Sequence, residues 1–416
     1  MQTNLAPQFK GTPAGNAAEA ILRTCVHCGF CNATCPTYQL LGDELDGPRG
    51  RIYLMKQVLD GVVPTRSTQL HLDRCLTCRN CESTCPSGVR YGNLIEIVRP
   101  IVDEQVERPT REKAVRWLLK EGLTSPLFAP AMALGQALRP LVPGGLKNKV
   151  PAKPAARAHQ WPTRAHPRKV LMLMGCVQPA MMPNINSATA RVLDAAGIQT
   201  VVADETGCCG AIRTHLNDIE GGLADMRRNI DAWWPLVSGG PGSLAGVEAL
   251  VMNASGCGAS VKQYGHALAH DPAYAEKAAR IAELTRDLSE LLPDLVPRLK
   301  NKVRLRQVAT RLAFHPPCTL QHGQQLRGGV ETHLKALGFD ISVAANESHL
   351  CCGSAGTYSV LQPALAYQLR DRKLANLAPL DAQTIVSANI GCIQHLQTGT
   401  TTPVKHWVEV LDEALA

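Results

Sequence analysis

The 416-residue chain has no uninterrupted apolar run of 18 residues, so a membrane-spanning helix is not expected. No basic segment leads into an apolar stretch with a small-residue cleavage site, and nothing in the sequence points to export. Aromatic residues make up only 4% of the chain, and no base-reading motif accompanies its basic residues, which argues against a nucleic-acid partner. Three signatures of cofactor binding or catalysis are also missing. No Gly-x-Gly-x-x-Gly follows an expected strand, no Walker-type phosphate loop appears, and no Gly-x-Ser-x-Gly elbow is present. The chain therefore offers no dinucleotide or flavin cradle of that type and no serine nucleophile.

What it has in excess is cysteine, 16 residues in all. Half of them form one string of spacings written twice: Cys25-x2-Cys28-x2-Cys31-x3-Cys35-Pro36 and Cys75-x2-Cys78-x2-Cys81-x3-Cys85-Pro86. Disulfide frameworks belong to small secreted chains, and zinc sites usually present cysteines in pairs. Runs of this spacing hold [4Fe-4S] clusters instead. Three thiolates wrap one cube, while the x3 step and the proline turn the fourth toward the other cluster. One cluster is then expected on Cys25, Cys28, Cys31 and Cys85, and the other on Cys75, Cys78, Cys81 and Cys35. Cytoplasmic thiols stay reduced, which suits such ligation.

Residues 1–16 carry Gly, Pro, Asn and Gln without periodicity and read as a loose arm, with helical character beginning at Ala17. Helices are expected over Gly50 to Asp60, with Gly61 as C-cap, and over Ser67 to Arg74. Another follows the second run, its stripe extending from Leu94 to Val106 with Pro100 as a kink point. Helices thus surround the cysteine runs, so residues 17–107 resemble an α-helical ferredoxin domain, in which a long helical connection separates the two runs.

Residues 108–168 read as a basic, proline-rich connector. Between Arg108 and Lys169 there are 13 Lys/Arg against 2 Asp/Glu, although the whole chain carries only +8. Two readings stand for it: a solvated linker, or a docking surface for acidic partners or anionic lipid headgroups. The apolar but interrupted stretch from Leu127 to Val142 reads as a surface that meets a partner or a membrane face.

From Lys169 the pattern becomes strand (Lys169 to Met174), helix (Asn186 to Ala196, ended by Gly197) and strand (Gln199 to Ala203), as in a parallel α/β unit. The unit repeats, which divides this part into residues 169–300 and 301–416. Cys176, the pair Cys208-Cys209 before Gly210, and Cys257 in the first half match Cys318, Cys351-Cys352 before Gly353, and Cys392 in the second. Carboxyl ends of parallel strands gather on one rim, where these thiols can converge. A third iron–sulfur or redox site and a pair of buried structural cysteine sets both remain open readings.

This half resembles the CCG domain of heterodisulfide reductase subunits and of iron–sulfur subunits of flavin-linked dehydrogenases. The family motif ends in Cys-x2-Cys, and here Ser260 and His395 stand where its last cysteines fall. His395 is a ligand candidate by position only; His315 and His322, flanking Cys318, read as ordinary histidines. The stretch from Leu41 to Leu54, His71-Leu-Asp-Arg-Cys-Leu-Thr-Cys-Arg-Asn-Cys81, Asn229-Ile-Asp-Ala-Trp-Trp234, Ser255-Gly-Cys-Gly258 and His349-Leu-Cys-Cys-Gly-Ser-Ala-Gly-Thr357 resemble the iron–sulfur subunit of bacterial glycolate oxidase over nearly the whole chain.

That resemblance implies a cytoplasmic protein held peripherally at the inner face of the membrane. It also implies FAD-containing partner subunits that oxidise glycolate to glyoxylate, and onward transfer of electrons to quinone or another acceptor. Lactate or glycerol-3-phosphate oxidation by other partners, and disulfide reduction at the CCG half, are the competing expectations. Arg49, Arg51, Arg79 and Arg90 lie near the cluster cysteines in sequence, either tuning the clusters or pairing with Asp43, Glu44 and Asp46. The expected fold is multidomain α/β: an α-helical ferredoxin-like domain followed by two repeated parallel α/β units.

Overall fold

The structure, a computed structural model, describes residues 1–141, 150–154, 156–240, 244, 246–305 and 311–415. Among these residues no strand precedes Arg168, and both cysteine runs lie among helices. Pro48–Leu59, Arg66–Asp73 and Tyr91–Gln105 pack together through Met55, Leu59, Leu72, Leu94 and Ile95, all of them buried. Each such side chain stabilises the fold by about 1.5–3 kcal/mol. Pro100 lies inside the Tyr91–Gln105 helix.

The N-terminal arm is docked, contrary to the expectation from its composition. The Met1 amino group donates to the carbonyls of Leu22 (3.2 Å) and Cys25 (2.6 Å), and the Ala6 N–H donates to Leu59 (2.8 Å). Leu5 and Ala6 are buried. The first helix begins at Pro13, not Ala17. Thr12 caps it by accepting from the Gly15 N–H, and proline fits the first turn because no donor is needed there.

The basic segment is more structured than either sequence reading supposed. It contains the helices Thr110–Thr124 and Phe128–Ala137. The first of these buries none of its residues and is held by charge. Arg116 meets Asp73 at 3.0 Å on one side, while Glu121 meets Arg213 at 2.8 Å and Lys120 meets Asp218 at 3.1 Å on the other. Part of the local positive charge is therefore spent inside the molecule. The outer side stays apolar: Trp117, Leu118, Leu127, Leu134 and Leu138 are exposed. Val142, the end of the predicted apolar surface, lies outside the described residues.

The remainder forms two four-stranded parallel sheets of the same topology. The first runs β2-β1-β3-β4, with β1 Arg168–Met172, β2 Ile198–Val201, β3 Val247–Met252 and β4 Thr285–Asp287. The second runs β6-β5-β7-β8, with β5 Arg311–Phe314, β6 Asp340–Val343, β7 Thr384–Ser387 and β8 Val404–His406. β1 and β5 each end in a run of three buried apolar residues, Val170 to Met172 and Leu312 to Phe314, as expected of strands covered on both faces. One hydrophobic cluster joins Val170, Val192 and Val251 of the first repeat to Phe314, Ile341 and Trp407 of the second.

The rims of the repeats face each other. The Ser255 N–H donates to the Ala388 carbonyl (2.9 Å), and the Ser255 and Thr319 hydroxyls lie 2.7 Å apart. The ferredoxin-like helices sit on this junction and touch both repeats. Asn217 donates to Asp103 (2.6 Å), Ser83 Oγ lies 3.0 Å from His322 Nδ1, and Tyr358 Oη donates to the Arg74 carbonyl (3.1 Å).

Candidate metal centres

The two cysteine runs fold alike because their loops take the same unusual backbone. Left-handed residues fall at matched places: His27 (φ 59°) and Gly29 (85°) in the first run, Thr77 (50°) and Arg79 (58°) in the second. A non-glycine residue pays about 1–2 kcal/mol for this conformation, and the β-branched Thr77 is the least suited to it. The reason is geometric. The curl turns successive thiols and N–H groups inward, so that the Thr77 N–H reaches Cys75 Sγ at 3.4 Å.

The loops gather their thiols into two sets, each drawn from both runs. Cys25, Cys28, Cys31 and Cys85 lie within electrostatic reach of one another. Cys81 feels Cys78, Cys75 and Cys35. These last four line one small cavity, beside Arg51 and Tyr91. The fourth cysteine of each run thus lies among the first three of the other run. Burial pushes the Cys31 thiol up to about 11 and raises Cys78 and Cys81 well above the ordinary thiol value. Buried thiols without a cation keep their protons; iron deprotonates them outright. Four convergent sulfurs in each set therefore fit a [4Fe-4S] cluster.

The arginines divide between the two sequence readings. Arg49 is paired with Glu44 at 2.6 Å and Arg79 with Glu96 at 3.6 Å, while Arg90 is exposed. Arg51 does both things at once. It is buried, bonded to the His71 carbonyl (2.7 Å) and to Asp46 (3.3 Å), with Nη1 4.0 Å from Cys35 Sγ. A fixed cation beside a cluster sulfur favours the reduced state.

In each repeat the thiols gather at the carboxyl rim. Cys176 follows β1, Cys208 and Cys209 follow β2, and Cys257 lies in the helix Ser255–Val261 after β3. Cys318, Cys351-Cys352 and Cys392 stand likewise after β5, β6 and β7. The glycine after each pair is required. Gly210 and Gly353 both have φ 89°, and a Cβ on Gly210 would stand 2.8 Å from the Gly222 carbonyl oxygen, one on Gly353 closer still to that of Ala366.

The surroundings of the two sets differ. In the first, Cys176 and Cys257 are half-buried, and Asn229 and Tyr264 tie down the carbonyls of Cys208 (2.7 Å) and Cys209 (3.0 Å). In the second, all four cysteines are buried, with Cys318 and Cys351 sulfurs 3.8 Å apart. A ring nitrogen of His315 and the sulfurs of Cys352 and Cys392 lie within 4.8 Å of one another. Burial and the nearby Lys373 charge hold the His315 imidazole down at about 3, so it is neutral. Lys373 is itself buried beside Cys352, Cys351 and Cys318, and its Nζ donates to the carbonyls of Glu347 (2.5 Å) and Ser348 (3.3 Å).

The residues replacing the last family cysteines are occupied elsewhere. Ser260 Oγ donates to the Cys209 carbonyl (3.1 Å); His395 Nε2 lies 3.0 Å from the Ala366 carbonyl, its ring stacked on Tyr367. His322 spans Ser83 and the His349 carbonyl. Sequence reasoning weighed His315 and set it aside as an ordinary histidine, and it did not single out Lys373. The signal for His315 was its place opposite Leu173 in the repeat alignment; Lys373, far along a helix, gave none.

The second ferredoxin-type set and the second repeat meet directly. Cys78 feels the charge of Cys318, and Leu76, Cys318, Cys351, Tyr358 and Leu369 form one apolar cluster against which Cys78 packs.

Fold and thiol sets together define an iron–sulfur protein of the two-cluster ferredoxin type joined to a duplicated cysteine-rich domain. Residues 21–89 match the family described as a 4Fe-4S dicluster domain, and residues 170–262 and 312–397 the family described as a cysteine-rich domain. The chain is 52% identical to the glycolate oxidase iron-sulfur subunit of Escherichia coli K12, over 100% of this chain and 99% of that one. A probable glycolate oxidase iron-sulfur subunit of Bacillus subtilis is 30% identical over 92% of this chain and 89% of its own. Lactate utilization protein A of Geobacillus thermodenitrificans is 25% identical over 59% of this chain and 98% of its own. The chain belongs to the family of glycolate oxidase iron–sulfur subunits.

Proposed function

We propose that this chain is the electron-transfer subunit of a glycolate oxidase, serving FAD-containing partners that oxidise glycolate to glyoxylate. The observation that carries this is the pairing of thiols across the two runs into two adjacent four-sulfur sets, in a chain without a sequence signature for a flavin cradle. [4Fe-4S] clusters, when bound, exchange single electrons. One is held by Cys25, Cys28, Cys31 and Cys85, the other by Cys75, Cys78, Cys81 and Cys35. The chain's own residues fix the distance between these sets and place Arg51 where it steadies the reduced state. Cys28 is exposed beside the exposed Val26 and Phe30, and offers the first cluster to a partner.

Electrons leave toward quinone or another acceptor, with the protein at the inner face of the cytoplasmic membrane. No helix among the described residues is long and apolar enough to cross a membrane. The exposed Trp117, Leu118, Leu127 and Leu134 beside a basic segment support peripheral attachment.

The test is reduction of the clusters by substrate. Purified chain alone shows cluster absorbance and does not oxidise glycolate; in the reconstituted complex, glycolate bleaches it. Bleaching by lactate or glycerol-3-phosphate and not by glycolate overturns the substrate. Disulfide reduction by the chain alone overturns the carrier role. Flotation with anionic vesicles tests the membrane arm: a complex that stays in solution overturns it.

A further inference from the structure

The turn that opens the second cysteine run is closed by a charge that no acid balances. Arg99, on the helix Tyr91–Gln105 and 8% exposed, donates from Nε (3.1 Å) and Nη2 (2.6 Å) to the Leu72 carbonyl, and from Nη2 to the Cys75 carbonyl (2.8 Å). Among the described residues no carboxylate pairs with it, and the two acids in its field are spent elsewhere, Asp73 on Arg108 and Arg116 and Glu96 on Arg79. The matching carbonyls of the first run, Leu22 and Cys25, receive the Met1 amino group instead. Neutral donors can satisfy the carbonyls of a helix end. A buried guanidinium, by contrast, is costly unless an anion faces it. The anion that belongs beside Cys75 is the cluster itself, to which four thiolates give a net negative charge.

We infer that Arg99, with Arg51 and Tyr91, sets the order of the relay: it makes the buried second cluster easier to reduce than the first, so that an electron entering at the exposed Cys28 is drawn inward. Arg99 is a positioning residue, acting through the Cys75 loop and through its charge. The step is a single transfer. The first cluster gives up one electron as the second gains it, with no bond made or broken and no proton moved. Reduction adds negative charge, so the burial of Cys35, Cys75 and Cys81 by itself makes the second cluster the harder one to reduce. Net charge and hydrogen bonds to sulfur work against that burial. Arg51 Nη1 lies 4.0 Å from Cys35 Sγ, and Tyr91 Oη donates to Cys75 Sγ (3.6 Å). Asp46 does not cancel Arg51, because it is shared with Arg74. Among the described residues no side chain donates to the sulfurs of Cys25 and Cys31 in the first set, and Arg49 beside it is neutralised by Glu44. This order rests on the two-cluster carrier reading.

The full chain is reconstituted anaerobically with iron and sulfide and poised through a series of potentials while the spin signals of the two clusters are followed. Cys28→Ser and Cys78→Ser, each altering one signal, assign them. In the unmodified protein the second cluster is reduced first. Arg99→Gln makes the second cluster at least about tenfold harder to reduce, a fall of about 59 mV for one electron, and leaves the first where it was. Arg99→Lys keeps the charge and holds the second cluster within about threefold of the unmodified protein. Three results overturn the assignment: the first cluster being reduced first in the unmodified protein, equal shifts of both clusters in Arg99→Gln, or a lower cluster content in that variant with the potential unchanged, which is what a purely structural cap gives. If Arg99→Gln does not hold its second cluster, the order in the unmodified protein and the potential of Arg99→Lys decide. Two signals indifferent to Arg99 break this assignment alone; absence of both signals from the unmodified protein breaks the carrier reading with it.

Discussion

The two cysteine-rich repeats share strand order, the positions of four thiols and the left-handed glycine after the cysteine pair, yet they solve different problems. The first surrounds its thiols with neutral groups, Asn229 and Tyr264, and leaves two of them half-buried. The second buries all four beside His315 and Lys373 and abuts Cys78. Duplication conserves the scaffold, because the glycine and the rim are demanded by backbone sterics. It leaves the lining free to diverge.

The largest test of this contrast removes the neighbour that only the second repeat has. Cys81→Ala should abolish the second ferredoxin-type cluster and electron flow through the chain, read as loss of substrate-driven bleaching in the complex. Full activity in that variant would break the distinction between a wired and an unwired repeat. Asp46→Asn should follow in size. It weakens a buried partner of Arg51 and of Arg74, which meets Asp46 at 2.8 Å; disrupting a buried ion pair on one side costs about 3–5 kcal/mol, measurable in denaturant unfolding.

Gly353→Ala and Gly210→Ala sharpen the comparison directly. Both force a side chain into a left-handed residue, worth about 1–2 kcal/mol, and both add a clash with a carbonyl. The clash is closer at Gly353, so its melting temperature should fall further; an equal fall would mean that the second loop is no tighter than the first.

Acid should act next, and unequally. Burial holds the imidazoles of His215 and His322 down to about 4 and that of His406 to about 3, against 6.5 when unfolded. The unfolded chain therefore binds more protons below 6.5, so their contribution is complete above that value and is lost as pH falls toward 4. With two of the three in the second repeat, hydrogen exchange at mildly acidic pH should rise there first. Ser83→Ala, the smallest change, removes one hydrogen bond to His322 and should cost about 0.5–1.5 kcal/mol, read as weaker protection at the ferredoxin junction with the repeats intact.

Much of the architecture was legible beforehand because it is written in spacing. The helix Pro48–Leu59 lies within two residues of its expected start, and β1, β2 and the helix Pro183–Ala195 lie where alternation placed them. The N-terminal arm was misread because its Pro, Gly and Asn are loop formers by local rule, while its order comes from distant partners, Leu22, Cys25 and Leu59. The internal ion pairs of the basic segment were not legible because charge composition does not say where the opposite charges are; Asp73 and Asp218 lie far off in sequence.

The sequence by itself determined the two thiol sets, since Cys-x2-Cys-x2-Cys-x3-Cys-Pro is a local instruction about how a loop must curl and which sulfur must leave it. It also determined the duplication, because matched cysteines at matched intervals need no coordinates to be seen. Only the tertiary structure decided which repeat stands beside the second cluster set, that Arg51 is buried against Cys35, and that His315 turns a nitrogen into the second thiol set where Leu173 fills the first. Those facts depend on which surfaces meet, and packing between segments hundreds of residues apart leaves no periodicity to read.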